Sequence, residues 1–253
     1  MDWQRIQEDW DAQQAVYMPD REERFAAMLD TVAAAVGERP RVLDLAGGTG
    51  SITQRVLNRF PAASSVIVDV DAALLAIAAG TFAGDGRVVV TAVDLATPDW
   101  LSNLAAADGS FDAILTATAL HWLPAERVAA VYAEAAALLR SGGIFANADH
   151  IADDGLPALT ESLTRFSESR HARLMQVPGA ADWDGWWARL RTEPELAEAI
   201  AARDVRFADR GGAAHTESTM PASWHVEALR NAGYAEAGLV WRGLTDAVVV
   251  GAR

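Results

Sequence analysis

The sequence contains no cysteine, and this absence excludes several kinds of chemistry at once. Disulfide bridges, thiolate nucleophiles and cysteine-bound zinc all require that side chain. The five histidines show none of the H-x-x-x-H or H-E-x-x-H spacings of zinc enzymes; they stand at positions 121, 150, 171, 215 and 225. We therefore predict no metal site.

Lysine is absent as well, so arginine supplies all 21 basic side chains against 35 acidic ones. The formal charge of −14 repels the phosphates of nucleic acids, whose binding depends on neutralisation by basic side chains. We therefore expect no nucleic-acid partner.

Long uncharged apolar runs are lacking too, although 51% of the residues are hydrophobic. A membrane-spanning helix needs about 20 consecutive apolar residues, so we expect no membrane span. The first residues, MDWQRIQEDWD, lack the basic and apolar segments of a secretion signal. These features predict a cytoplasmic protein with a sizeable core, and they leave a homodimer open.

Segments typical of strands and of helices alternate through residue 150. This alternation predicts βαβ units, and hence an α/β fold with a mostly parallel sheet and helices on both faces. Seven segments have the apolar pattern of strands: 41–45, 66–70, 87–93, 110–116, 144–148, 237–241 and 247–252.

The pattern divides the chain into three parts. Residues 1–36 read as helices that would cover a pocket. Residues 37–150 and 216–253 would form the sheet domain, and residues 151–215 carry helical patterns without a clear strand. We therefore predict a helical insertion after the fifth strand, placed as a lid over the substrate.

The strongest motif is VLDLAGGTGSITQRV, in which a buried strand is followed by a glycine-rich turn and a helix. The glycines at positions 47, 48 and 50 let the backbone turn sharply and let a ligand approach it closely. The N-terminus of the following helix offers unpaired N–H groups that suit a carboxylate. This arrangement is typical of a nucleotide or cofactor site, and a glycine turn alone is a weak signal.

Acidic residues follow the next two strands and strengthen this interpretation. Asp69 lies 25 positions after Asp44, at the end of the second strand, where a carboxylate can accept both hydroxyls of a ribose. Asp94 follows the third strand and could accept from an adenine amino group, with the N–H of Leu95 beside it.

Together these motifs resemble the class I S-adenosylmethionine-dependent methyltransferases, in particular those of the ubiquinone/menaquinone type. That family holds the methionine end of its cofactor with a D-x-G-x-G-x-G turn, and Ala46 replaces the first of its glycines here. The resemblance continues through FDAILTATALHWL and LLRSGGIFANAD. It implies a Rossmann-like sheet of seven strands with an antiparallel last strand, and S-adenosylmethionine as cofactor. The implied cofactor contacts are Asp44, Ala46, Gly47, Gly48, Gly50, Asp69, Val70, Asp94, Leu95, Thr116 and Ala117.

The function that this resemblance implies is methyl transfer to a small molecule by in-line displacement at the sulfonium. An NAD(P)-dependent oxidoreductase is one alternative, but Thr53 occupies the third glycine position of the G-x-G-x-x-G fingerprint. A cofactor-binding or ligand-binding protein without turnover is the other.

Two histidines follow strands at the edge where ligands of open α/β sheets bind. His121 lies in ALHW after the fourth strand, and His150 ends ANADH after the fifth. Each is a candidate general base and, equally, a candidate for a purely structural role. Asp149 could orient His150.

The residues that could contact the methyl acceptor are less well defined. Candidates are Tyr17, Trp122, Arg170 and Trp186. The apolar side chains of the insertion favour an aromatic or hydrophobic acceptor, although the same residues could form a small core between lid and sheet.

Overall fold

The computed structural model of the chain describes residues 1–104, 109–175, 183–208 and 219–253. Its centre is a seven-stranded sheet in the order β3-β2-β1-β4-β5-β7-β6. β7 pairs antiparallel with both of its neighbours, whereas the other neighbouring strands are parallel. The strands are β1 (Arg41–Leu45), β2 (Ser64–Asp69), β3 (Val88–Ala92), β4 (Phe111–Ala117), β5 (Leu139–His150), β6 (Glu236–Arg242) and β7 (Asp246–Ala252).

Helices cover both faces of this sheet, which confirms the predicted α/β class. Within the described residues they are α1 (Trp3–Tyr17), α2 (Arg21–Val36), α3 (Ser51–Arg59), α4 (Ala72–Thr81), α5 (Ala125–Leu138), α6 (Pro157–Leu174), α7 (Trp183–Leu190), α8 (Ala197–Phe207) and α9 (Ala222–Asn231). None of the helices in these residues is long and apolar enough to cross a bilayer.

Side chains alternate between the two faces along each strand, as the pleat requires. Val42 of β1 packs in a cluster with α2 and α3, whereas Leu43 and Leu45 pack with α5 and α9 on the other face. All three are fully buried. A strand buried on both faces reads as a continuous apolar run, which is why the sequence pattern identified these strands.

The start of β5 is irregular. The strand is assigned from Leu139, but its pairing with β4 passes directly from Leu139 to Ile144, so residues 140–143 bulge out just before the segment 144–148 that we predicted as strand. Gly142 N–H donates to the Arg253 carbonyl at 2.7 Å, and Arg253 N–H donates to the Gly143 carbonyl at 2.9 Å. Arg253 therefore holds this bulge beside β7.

The insertion after β5 contributes α6, α7 and α8, and it contacts the N-terminal helices. Side chains of α7 and α8 form one apolar cluster with Ile6 of α1 and with Ala73 and Ile77 of α4. The predicted boundary at 215/216 and His215 lie outside the described residues. The division into three parts stays a prediction.

Candidate functional site

A cavity of about 1470 Å³ opens at the C-terminal ends of the five parallel strands β1 to β5. A residue that ends or follows each of these strands lines it: Ala46, Asp69, Asp94, Ala117 and His150. This is the edge at which open α/β sheets bind their ligands. The turn, Asp69, Asp94 and both candidate bases, His121 and His150, thus line one shared cavity.

The glycine-rich turn forms the wall of the cavity beside β1. Gly47 and Gly48 line the cavity, and Gly48 has a positive φ of 56°. A Cβ added at Gly48 would meet only the Leu74 side chain, at 3.6 Å, so a ligand can approach this backbone closely. Gly50 has another role: its φ is 84°, and a Cβ there would lie 2.6 Å from the Phe82 ring. It permits the packing of the turn against α4 and does not line the cavity.

Ala46 adopts a left-handed conformation with φ 54°. An L-residue other than glycine loses roughly 1 kcal/mol or more in that region. We expect Ala46→Gly to raise the free energy of unfolding by about 0.5 to 1 kcal/mol, since relief of strain is partly offset by glycine's chain entropy. Urea denaturation measures it. The control is Ala148→Gly in the extended β5, which should lower the free energy of unfolding. If both variants lowered the free energy of unfolding equally, Ala46 would not be strained.

Asp69 lies at the end of β2 with its carboxylate on the cavity. Its Oδ2 accepts from the Gly48 N–H and its Oδ1 from the Asp71 N–H, both at 2.8 Å. Burial raises the pKa of this carboxyl to about 6. Each oxygen keeps a lone pair, so both can accept a further hydrogen bond from a ligand.

Asp44 and Thr116 lie behind the cavity wall rather than on it. Asp44 is fully buried, and its Oδ2 accepts from the Thr53 N–H and hydroxyl at 3.0 and 2.8 Å. Burial raises its pKa to about 6. The carboxylate supports the turn from below, because a Cβ on Gly47 would strike it. Thr116 is also fully buried, and its neighbour Ala117 faces the cavity instead.

Asp94 lines the cavity but is engaged by the insertion. One oxygen accepts from the Ala96 N–H at 3.0 Å, and the other pairs with Arg206 of α8. Arg203, one turn earlier, binds the Asp71 carboxylate at 2.7 Å. Val70 and Leu95 also line the cavity. No sequence signal indicated the two arginines, since their role depends on where α8 lies.

Two histidine–aspartate pairs stand side by side at the ends of β4 and β5. His121 Nδ1 lies 2.6 Å from Asp149 Oδ1, and His150 Nδ1 lies 2.6 Å from Asp246 Oδ1. The ring centroids of the two histidines are 5.3 Å apart, and both residues line the cavity. The sequence had suggested that Asp149 orients His150, but Asp149 pairs with the His121 ring instead. From His150 it accepts only the backbone N–H.

A buried arginine stands behind the second pair. Arg24 of α2 is fully buried, and its Nη1 lies 3.4 Å from Asp246 Oδ2. The hydrogen bond to Asp246 raises the pKa of His150 above its usual value of 6.5. Although Asp246 is buried, its hydrogen bond with His150 and the Arg24 charge keep its pKa below 3.8. The aspartate therefore remains charged and fixes the imidazole.

The four predicted acceptor contacts divide into two groups. Tyr17 and Trp122 line the cavity. Arg170 pairs with Asp20 at 3.1 Å, and Trp186 is buried beside Trp10, with ring centroids 4.9 Å apart. Neither of these two reaches the cavity wall, because α6 turns Arg170 toward the start of α2 and α7 turns Trp186 into the apolar cluster with α1.

Arg21 is a cavity-lining cation that the sequence analysis missed. It is buried, and it pairs with Asp11 of α1 at 2.9 Å. Asp11 also accepts from the hydroxyl of Ser51, the first residue of α3, at 2.6 Å. Arg21 and the N-terminus of α3 thus border the same end of the cavity. In the described ranges, no group of three or more His, Asp or Glu side chains could hold a metal ion.

This strand order, with its antiparallel β7, the glycine turn and the acid at the end of β2, defines a Rossmann-like fold whose cavity lies at the edge where such sheets bind nucleotides. Residues 43–145 match a family model described as a methyltransferase domain. Over these residues the predicted resemblance to the class I S-adenosylmethionine-dependent methyltransferases is confirmed.

Individual proteins resemble this chain in part of its sequence or in its fold. The ubiquinone/menaquinone biosynthesis C-methyltransferase UbiE of Dinoroseobacter shibae is 36% identical over 121 residues, which are 46% of this chain and 44% of that protein. An O-methyltransferase family protein from Burkholderia thailandensis has a TM-score of 0.58 and 21% identity, covering 95% of this chain and 58% of that one. Human N-acetylserotonin methyltransferase in complex with SAM has a TM-score of 0.54 and 12% identity, covering 98% and 55%. The chain thus spans about half the length of the relatives it matches.

Proposed function

We propose that this chain transfers the methyl group of S-adenosylmethionine to a small-molecule acceptor. One observation carries the proposal: a single cavity joins the Asp69 carboxylate and the glycine turn to the two histidine–aspartate pairs. The methyltransferase family match favours this activity over an NAD(P)-dependent oxidoreductase. The charge of −14 favours a small molecule over a nucleic acid as acceptor.

The residues around the turn fit the cofactor. The open backbone at Gly48 and the free lone pairs of Asp69 suit the methionine end and the ribose hydroxyls. Asp94 and Leu95 would meet the adenine, and Arg21 would meet the methionine carboxylate. Ala117, at the end of β4, would lie beside the methionine amine.

The bound cofactor would supply an electrophilic methyl group on a positively charged sulfur. The protein would hold the acceptor in line with the methyl–sulfur bond, exclude water and accept the proton that the acceptor loses. Because the Nδ1 of His150 is bound to Asp246, its Nε2 is the atom that can take this proton. His121 is more deeply buried than His150, so we assign the general base to His150.

The direct test is binding followed by turnover. In calorimetry, S-adenosylhomocysteine should bind and NADH and NADPH should not. The purified chain, given S-adenosylmethionine and a bacterial metabolite extract, should then release S-adenosylhomocysteine. Binding without release would favour the non-catalytic alternative, and binding of NADH or NADPH alone would refute the proposal.

A further inference from the structure

The side of α6 that faces the cavity is polar. The residues of α6 that line the cavity are Thr160, Thr164, Ser167, Glu168 and His171. Their spacing of three, four and seven places them on one face of the helix. They line the same cavity as His121 and His150. This face of α6 therefore forms part of the wall of the cavity that would hold the acceptor.

Three threonine hydroxyls that line the cavity each donate a hydrogen bond within the protein. Thr160 Oγ1 donates to the Asp153 carbonyl at 2.9 Å, and Thr164 Oγ1 donates to the Thr160 carbonyl at 3.0 Å. Thr118, at the end of β4, donates to the Met18 sulfur at 3.2 Å. A hydroxyl whose proton is engaged can only accept further hydrogen bonds. These three hydroxyls can therefore only accept hydrogen bonds from a ligand.

Other features of the wall point the same way. Glu168 is exposed and adds a carboxylate, which accepts hydrogen bonds and does not donate them when ionised. Of the insertion's apolar residues that had favoured a hydrophobic acceptor, Trp186 is buried in the cluster with α1 and Phe166 is 54% exposed and outside the cavity lining, whereas Trp183 lines the cavity. The polar face of α6 is thus suited to a ligand that donates several hydrogen bonds, while Trp183 offers apolar contact in the same cavity.

Building on the proposed methyl transfer, we propose that the acceptor is a hydroxyl-rich small molecule. One of its hydroxyl oxygens would form a bond to the methyl carbon as the carbon–sulfur bond breaks, with the electron pair remaining on sulfur. The proton of that hydroxyl would go to His150. Its other hydroxyls would donate to the oxygens of Thr160 and Thr164.

An acceptor panel tests the class of substrate. The probes are phenol, catechol, pyrogallol, methyl glucoside and a naphthohydroquinone without a side chain. We measure release of S-adenosylhomocysteine and, separately, calorimetric binding of each probe to the chain saturated with S-adenosylhomocysteine. Binding and kcat/KM should rise with the number of hydroxyls and be weakest for phenol, and the naphthohydroquinone should not exceed catechol, which has the same number of hydroxyls.

Two variants test the residues. Thr160→Val and Thr164→Val keep the side-chain shape and remove the oxygen, so each should raise KM for the best polyhydroxylated probe about fivefold. The kcat and the affinity for S-adenosylhomocysteine should stay within about twofold. Thr31→Val is the matched control for Thr164→Val, because Thr31 also donates to the carbonyl four residues earlier, at 2.7 Å, and lies outside the cavity.

The outcomes separate the two proposals. Transfer that is fastest to the naphthohydroquinone would overturn the hydroxyl-rich acceptor and leave methyl transfer standing. An unchanged KM in both valine variants, or a panel in which no probe binds, would also overturn it. A chain that does not bind S-adenosylhomocysteine would instead refute the proposed function.

Discussion

His150→Gln should slow methyl transfer by about 100- to 10,000-fold, the usual contribution of a general base. A hydroxyl-rich acceptor loses its proton only at high pH, so its oxygen is a weak nucleophile until a base removes that proton. Glutamine can still hydrogen-bond to Asp246 but cannot accept a proton. Release of S-adenosylhomocysteine under saturating substrates measures the loss.

The comparison with His150→Ala separates catalysis from structure. Alanine leaves Asp246 without its partner at 2.6 Å, so this variant should also lose stability. Glutamine should restore the melting temperature and cofactor affinity but not the rate. A glutamine variant that keeps its rate within about fivefold would show that His150 is not the base.

The pH dependence of the methyl-transfer rate is a second test of His150 as the general base. A base must be neutral to accept a proton, and the hydrogen bond to Asp246 holds the pKa of His150 above 6.5. The rate should therefore increase with pH, and the midpoint of this increase should lie above pH 6.5. This increase of the rate with pH should be absent in His150→Gln.

The parts of the fold that sequence could predict are those set by local patterns. The buried strands read as apolar runs because both faces of the sheet are covered, as at Val42 and Leu43. The glycine turn followed β1 directly, and Asp69 closed β2 where the ribose site was expected. Local pattern and tertiary structure agree at these positions.

The rest of the site depends on contacts between distant segments. Asp246 and His150 are 96 positions apart, and Arg206 and Asp94 are 112 apart, so no spacing in the chain indicated either pair. Trp186 shows a different difficulty. An aromatic residue on an amphipathic helix gives the same sequence pattern whether its side chain faces a ligand or the core. Only the position of α1 decides that it is buried.

The acid at the end of β2 is expected to dominate cofactor affinity. Asp69→Ala should weaken S-adenosylhomocysteine binding by about 10- to 100-fold, since it removes charge-assisted hydrogen bonds to the ribose. It also removes the acceptor that holds the Gly48 N–H at 2.8 Å, so part of the loss would come from a looser turn. Asp69→Asn keeps one oxygen as an acceptor and should lose less. Calorimetry at pH 7.5 measures both.

A pH series isolates the charge of this carboxyl. Because burial raises the pKa of Asp69 to about 6, the affinity of the unmodified chain should fall as pH drops below about 6. This dependence should flatten in Asp69→Asn, whereas the exposed Asp99→Ala, which removes the same charge away from the cavity, should change nothing. If Asp69→Ala and Asp69→Asn bound S-adenosylhomocysteine as tightly as Asp99→Ala, Asp69 would not contact the ribose.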